Sequence, residues 1–169
     1  DGMLFPDHPY GTQTVLGTQE HLKNPSITNI KNYQKTYYVP NNMAICLSGD
    51  FDPDEMVAVI EKYFGQMQPN KDLPEITLTT SSVIESPAEK DVYGLDAENV
   101  MIGWKYPGAK SEDALVAEVA ASVLYNGSAG LIDLNINQQQ KVLGAQSEAY
   151  TRPDAGEFII MANPKQGQT

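Results

Sequence analysis

The sequence predicts an α+β fold, and three observations carry that prediction. Residues 52–65 and 111–124 each open with a capping side chain and then space apolar residues at helical intervals. Residues 100–106 alternate with the two-residue period of a strand. Two further short strands, about Ala145–Tyr150 and Glu157–Ala162, flank the turn Pro153-Asp154-Ala155-Gly156, which is the pattern of an antiparallel hairpin.

In chain order, Phe5-Pro6-Asp7-His8-Pro9-Tyr10-Gly11 is loop chemistry, because proline and glycine interrupt regular hydrogen bonding. Ser26 or Thr28 caps a helix running to about Tyr37, with Ile27, Ile30, Tyr33 and Tyr37 on one face, and Val39-Pro40 ends it. The continuous apolar run Met43-Ala44-Ile45-Cys46-Leu47-Ser48 predicts a strand buried on both sides, closed by Gly49-Asp50. Asp52 then caps a second helix, with Pro53 at its first position and Glu55 three residues after the cap. Met56, Val57, Ile60, Tyr63 and Phe64 form its apolar stripe, and Gly65 is expected to supply a left-handed stop.

Residues 66–90 are punctuated by Pro69, Pro74 and Pro87 and predict a linker, within which Ile76 and Leu78 alternate as a short strand. The strand that follows puts Val100, Ile102, Trp104 and Tyr106 on one face, and Trp104 is expected in the core. After Pro107-Gly108, Ser111 caps a helix whose first turn sets Glu112 and Asp113 against the positive end of the dipole. Leu115, Val116, Val119, Val123 and Leu124 are expected to line its core face. Asn126-Gly127-Ser128-Ala129-Gly130 reads as a flexible joint, followed by a polar helix from Leu131 to Gln140. The sequence holds no short tandem repeat, although helix, strand and helix recur loosely on either side of the linker.

A chain of 169 residues suffices for one domain or two compact half-domains, and 41% hydrophobic against 20% charged residues is ordinary for a globular protein. The net charge of −11 disfavours a nucleic-acid partner, since phosphate binding needs clustered Lys and Arg. The apolar runs are too short to span a bilayer. Cys46, the single cysteine, can form neither an internal disulfide nor a cysteine zinc site; a buried thiol is expected, and the compartment stays open. The start at Asp1-Gly2-Met3 has no charged leader or apolar signal core, and both ends read as cut from a longer polypeptide.

No residues complete a catalytic set. His8 and His21 are the two histidines, and a zincin-type helix needs a pair on one face with a glutamate base, whereas Gly17 stands four before His21. Ser48-Gly49 closes a strand and is no nucleophile elbow. The 126–130 run resembles a phosphate loop only superficially, because no Lys-Ser/Thr pair follows. Helix capping explains Asp50, Asp52, Asp54 and Glu55, which lack calcium-loop spacing. Tyr33, Tyr37, Tyr38, Tyr63 and Phe64 are expected in core or interface. Catalytic, cofactor-binding and metal-ligating residues are therefore expected to be none in this chain.

Several motifs, in order, resemble one family. His8-Pro9-Tyr10-Gly11, Leu16-Gly17-Thr18, Leu22, Ile27-Thr28, Tyr37-Tyr38-Val39-Pro40-Asn41-Asn42-Met43, Ser48-Gly49-Asp50-Phe51-Asp52 and Ile60-Glu61-Lys62-Tyr63-Phe64-Gly65 are similar to the pitrilysin/insulinase/mitochondrial processing peptidase family of zinc peptidases. The likeness is specific over 8–65 and looser over 91–163. It implies an antiparallel-rich sheet with helices packed on one face, in paired homologous domains. On that pattern 1–65 ends a first domain, 66–90 is a linker and 91–169 begins the following inactive domain. The zinc, its His-x-x-Glu-His motif and a further Glu ligand would then belong to sequence upstream of this chain. In some relatives the inactive side presents an Arg and a Tyr, seven residues apart, to the substrate. Aligning Leu143-Gly144 to that pattern puts Gln138 and Ala145 at the two positions, and neither supplies a charge or a phenol. The nearest residues of each type are Arg152 and Tyr150.

The resemblance thus implies a non-catalytic domain of a larger zinc metallopeptidase, forming part of its scaffold and peptide chamber. The alternative is a structural or assembly subunit without proteolytic role, as processing-peptidase relatives in respiratory complexes have become. An unrelated peptide-binding module with a coincidental likeness is the third reading. Implied partners are other domains of the same polypeptide and a peptide substrate, added as an extra strand along an edge near Ala145–Tyr150 or Glu157–Ala162. Exposed edges would also invite self-association. For a bacterial parent, a periplasmic or other extracytoplasmic location is favoured.

Overall fold

The computed structural model describes residues 1–75, 77 and 82–168. The expected short strand at Ile76 and Leu78 lies outside the described residues. The chain divides into two compact units, Leu16–Thr77 and Asp1–Val15 together with Leu78–Thr169. Along the chain run α1 (Pro9–Thr12), α2 (Gln19–Lys23), α3 (Ile27–Tyr37), α4 (Pro53–Phe64), β1 (Val100–Pro107), α5 (Glu112–Leu124), β2 (Gly144–Thr151) and β3 (Ala155–Asn163).

The Leu16–Thr77 unit is helical. The Ser26 hydroxyl accepts the Asn29 N–H at 3.2 Å to start α3, and the Asp52 carboxylate accepts those of Asp54 and Glu55 at 2.9 and 3.0 Å to start α4. Such caps satisfy donors that a first helical turn leaves unpaired. The Asn41 carboxamide exchanges bonds of 2.8 and 3.0 Å with the backbone of Asn70, whose side chain donates to the Thr36 carbonyl at 3.0 Å. These contacts tie the segment after α4 to the end of α3.

Several expectations fail in this unit. Residues 43–48 form no strand: Met43, Ile45 and Leu47 are 43%, 46% and 49% exposed, and Cys46 is exposed rather than buried. A strand apolar on both faces requires flanking strands, and the described residues of this unit contain none. Tyr33, Tyr38, Tyr63 and Phe64, expected in core or interface, are open to solvent and so are not core. Gly65 ends α4 at φ −62°, in the right-handed region. Its need for glycine is steric, because a Cβ there would collide with the Glu61 carbonyl oxygen.

The other unit is built on an antiparallel sheet in the order β1-β3-β2. Arg152 N–H donates to the Ala155 carbonyl at 3.1 Å, closing a two-residue Pro153-Asp154 loop that sets Ser147 opposite Ile160. β1 pairs on the other side of β3, with Trp104 opposite Phe158. One face carries α5, which meets the sheet through Ala114, Ala117 and Ala121, while the Ser147 hydroxyl donates to the Ala121 carbonyl at 2.9 Å. Leu115, Val116, Val119 and Val123, expected on this face, are instead 56–67% exposed. The alanines make a stripe of their own at helical spacing and bring helix and sheet close enough for a side chain to bond helix backbone. Because α5 lies chiefly over β2, Trp104 stays half exposed against Phe158, with ring centroids 5.9 Å apart, and is no core residue.

Tyr106 crosses β3 over Gly156 and its hydroxyl bonds Thr151 Oγ1 at 2.8 Å; a Cβ at 156 would strike the ring. The opposite face of the sheet receives the N-terminal segment. Leu4 lies against Gly103, and the fully buried Phe5 ring has Lys105 and Arg152 at 5.9 and 6.0 Å from its centroid.

Candidate functional site

After α5 the chain wraps residues 126–130 around one carboxylate. Asp133 Oδ2 accepts the N–H groups of Asn126, Gly127 and Gly130 at 3.1, 3.1 and 3.0 Å, and Asn126 Oδ1 accepts those of Ser128 and Ala129 at 3.1 and 3.0 Å. Gly127 adopts φ +81°, a conformation glycine reaches without steric cost. Burial pushes the Asp133 carboxyl up, but donors from Asn126, Gly130, Asn137 and Gly127 outweigh it and hold the pKa below the ordinary value. The expected flexible joint is therefore a closed loop. Its likeness to a phosphate loop has a physical basis, since its amides cradle an anion that is the chain's own. The expected helix from Leu131 to Gln140 is shorter, helical over 131–137, with Asp133–Asn137 a π-helical turn in which Gln138 N–H donates to the Asp133 carbonyl at 2.8 Å. Asp133 escaped the sequence reading; the signal was a lone acid just after a glycine-rich run.

The same turn reaches the sheet edge. Asn137 Oδ1 accepts the Ala145 N–H at 2.9 Å and Asn137 Nδ2 donates to the Ala145 carbonyl at 2.8 Å. Ala145 thus points its backbone groups away from β3, and strand alternation aims those of Ser147, Ala149 and Thr151 the same way. Gln138 Nε2 donates to the Ser128 carbonyl at 3.1 Å and, with Tyr125, Gly127, Ser128, Asp133 and Asn137, lines an open cavity of about 370 Å³. Ala145 is buried in β2. The two positions hold an amide already engaged and a methyl group, with no cation or phenol. Arg152 bonds Glu157 at 2.9 Å and Asp1 at 3.2 Å. Glu157–Ala162, the other expected edge, lies in the middle strand and is paired on both sides; β1 and β2 are the outer strands among the described residues.

His8 is 1% exposed; its Nδ1 accepts the Tyr10 N–H at 3.1 Å, capping α1, and its Nε2 lies 3.3 Å from Asp154. The Tyr10 hydroxyl donates to the other Asp154 oxygen. That bond is the main reason the Asp154 carboxyl sits below its ordinary value; burial opposes it and His8 adds to it. Burial and Asp154 push the Tyr10 phenol up. This cluster fastens the N-terminal segment to the hairpin loop. His21 belongs to the other unit, where it completes a capping box with Thr18. Among the described residues, no group of three or more His, Cys, Asp or Glu gathers to hold a metal.

The family profile of the peptidase M16 inactive domain matches residues 26–168. The chain belongs to that family. Zinc protease PqqE of Helicobacter pylori is 23% identical to this M16 inactive domain over 164 residues, covering 92% of this chain and 36% of the relative. A protease from Helicobacter pylori of known crystal structure superposes with a TM-score of 0.74 at 21% identity, covering 97% of this chain and 42% of that one. The first half of the periplasmic protease PqqL from Escherichia coli superposes with a TM-score of 0.61 at 16% identity, covering 97% and 36%. The M16 inactive domain thus spans about two-fifths or less of the length of these proteins. The resemblance and the α+β, antiparallel-sheet class read from the sequence are both borne out. No helix among the described residues is long and apolar enough to cross a membrane.

Proposed function

We propose that this M16 inactive domain is a non-catalytic wall of the peptide chamber in a larger zinc peptidase. The observation that carries the reading is the inactive-domain match over residues 26–168. Chain 1–65 would close one domain of the parent and 91–169 would open the next, with 66–90 joining them. Zinc, its His-x-x-Glu-His motif and the further Glu ligand would come from upstream sequence. The histidines of this chain are poorly placed to bind zinc, because both His8 nitrogens already face Tyr10 and Asp154, and His21 Nδ1 accepts the Thr18 N–H at 3.4 Å. Where relatives present Arg and Tyr, Gln138 and Ala145 would bring neither charge nor phenol, which suits shaping a chamber rather than stabilising a transition state.

Peptide would add as a strand on the outer edge of β2, using backbone bonds for affinity. In the absence of the parent's other domains the same edge would pair copies of the chain. An extracytoplasmic setting is the favoured location, in keeping with the periplasmic PqqL relative. The test is cleavage of a quenched fluorescent peptide by the purified chain with added zinc. No turnover is expected, and chelator-sensitive cleavage would contradict the proposal. A parent sequence lacking the His-x-x-Glu-His motif would shift the reading to a structural subunit.

A further inference from the structure

We infer that Asn137 is a register stop on the β2 edge, confining an added peptide strand to the stretch from Ser147 to Thr151. This rests on the reading of that edge as the peptide site. The Asn137 carboxamide is chemically a peptide group, and its paired bonds to Ala145 N–H and C=O, 2.9 and 2.8 Å, reproduce one rung of a β-ladder in cis. The rung at Ala145 is therefore taken before any peptide arrives. Asn137 is held in place by its own π-helical turn, which begins at the Asp133 that the 126–130 amides surround.

The opposite end of the edge is closed by chemistry as well. The next residue in the outward phase after Thr151 is Pro153, which has no N–H to give. Between these limits Ser147, Ala149 and Thr151 offer outward N–H and C=O groups over roughly 14 Å of strand. Five residues of extended peptide fill that length. The window sets both the length and the register of what binds, and it uses no side-chain pocket to do so.

The probe is acetyl-(Val-Lys)4-amide, extended in preference and basic against a chain of net charge −11. Amide exchange is followed residue by residue on the full chain. Without peptide, Ala145 exchanges slowly in the wild type and fast in Asn137→Ala. With peptide, Ser147, Ala149 and Thr151 slow about tenfold or more in both proteins, and Ala145 becomes slow in the variant. If Ala145 stays fast in the variant while the other three slow, the stop is refuted and the edge reading survives. If none of the three slows in the wild type, the edge reading fails and the stop with it. A second measurement needs no variant: N-methylation along the peptide weakens wild-type binding about tenfold inside the five-residue window and leaves it unchanged at the residue facing Ala145. Equal sensitivity at that residue overturns the inference.

Discussion

Asp133 organises more backbone than any cap among the described residues, because one oxygen satisfies amides on three residues of a loop that would otherwise be open. Asp133→Ala leaves those donors unpaired and is expected to lower the melting temperature by roughly 5–10 °C at pH 7, read by circular dichroism. The pKa is depressed below the ordinary 3.8, so its stabilisation is complete above that value and is lost as pH falls through the lower folded-state value. Urea unfolding of Asp133→Asn should accordingly show a shallower loss of stability in acid than the wild type. Phe5, with no exposed surface, makes the complementary apolar prediction: Phe5→Ala costs about 3–5 kcal/mol in urea unfolding. The caps Ser26, Asp52 and Ser111 were legible in sequence because donor and acceptor lie within three residues. Asp133 was not, since its partners lie up to seven residues away and meet it only when the loop folds back.

For whole elements, side-chain size misled where packing distance decides. Helix α5 was legible in extent, but its large residues face solvent and its alanines face the sheet. Ala117→Leu should therefore overpack and destabilise by about 1–3 kcal/mol, whereas Val119→Ser should change stability by no more than about 0.5 kcal/mol. The hairpin was legible because turn residues and alternation agree, while the order β1-β3-β2 depends on non-local pairing that no local pattern encodes. The 43–48 run reads as strand from composition alone, yet ladder formation requires a neighbour that this unit lacks among its described residues. The N-terminal segment is held by Asp154 through His8 and Tyr10. Asp154→Asn should release it at pH 7, so that chymotrypsin cuts after Tyr10 about tenfold faster. Because the Asp154 pKa is depressed, the urea-unfolding stabilities of wild type and variant should converge as pH falls through the folded-state value.

At the scale of the molecule, a peptidase-family fold carries no clustered metal donors among its described residues, and its histidines serve as caps. The α+β class and the family were legible because the motifs over 8–65 are local and ordered, and the match extends over both units. The contribution expected of this chain is shape and a strand edge, with hydrolysis supplied by neighbouring polypeptide. Zinc bound per chain after gel filtration, measured by atomic absorption at neutral pH, tests that claim most directly. Well under about 0.1 zinc per chain is expected; about one tightly held zinc per chain, lost on His8→Ala or His21→Ala, would contradict the account.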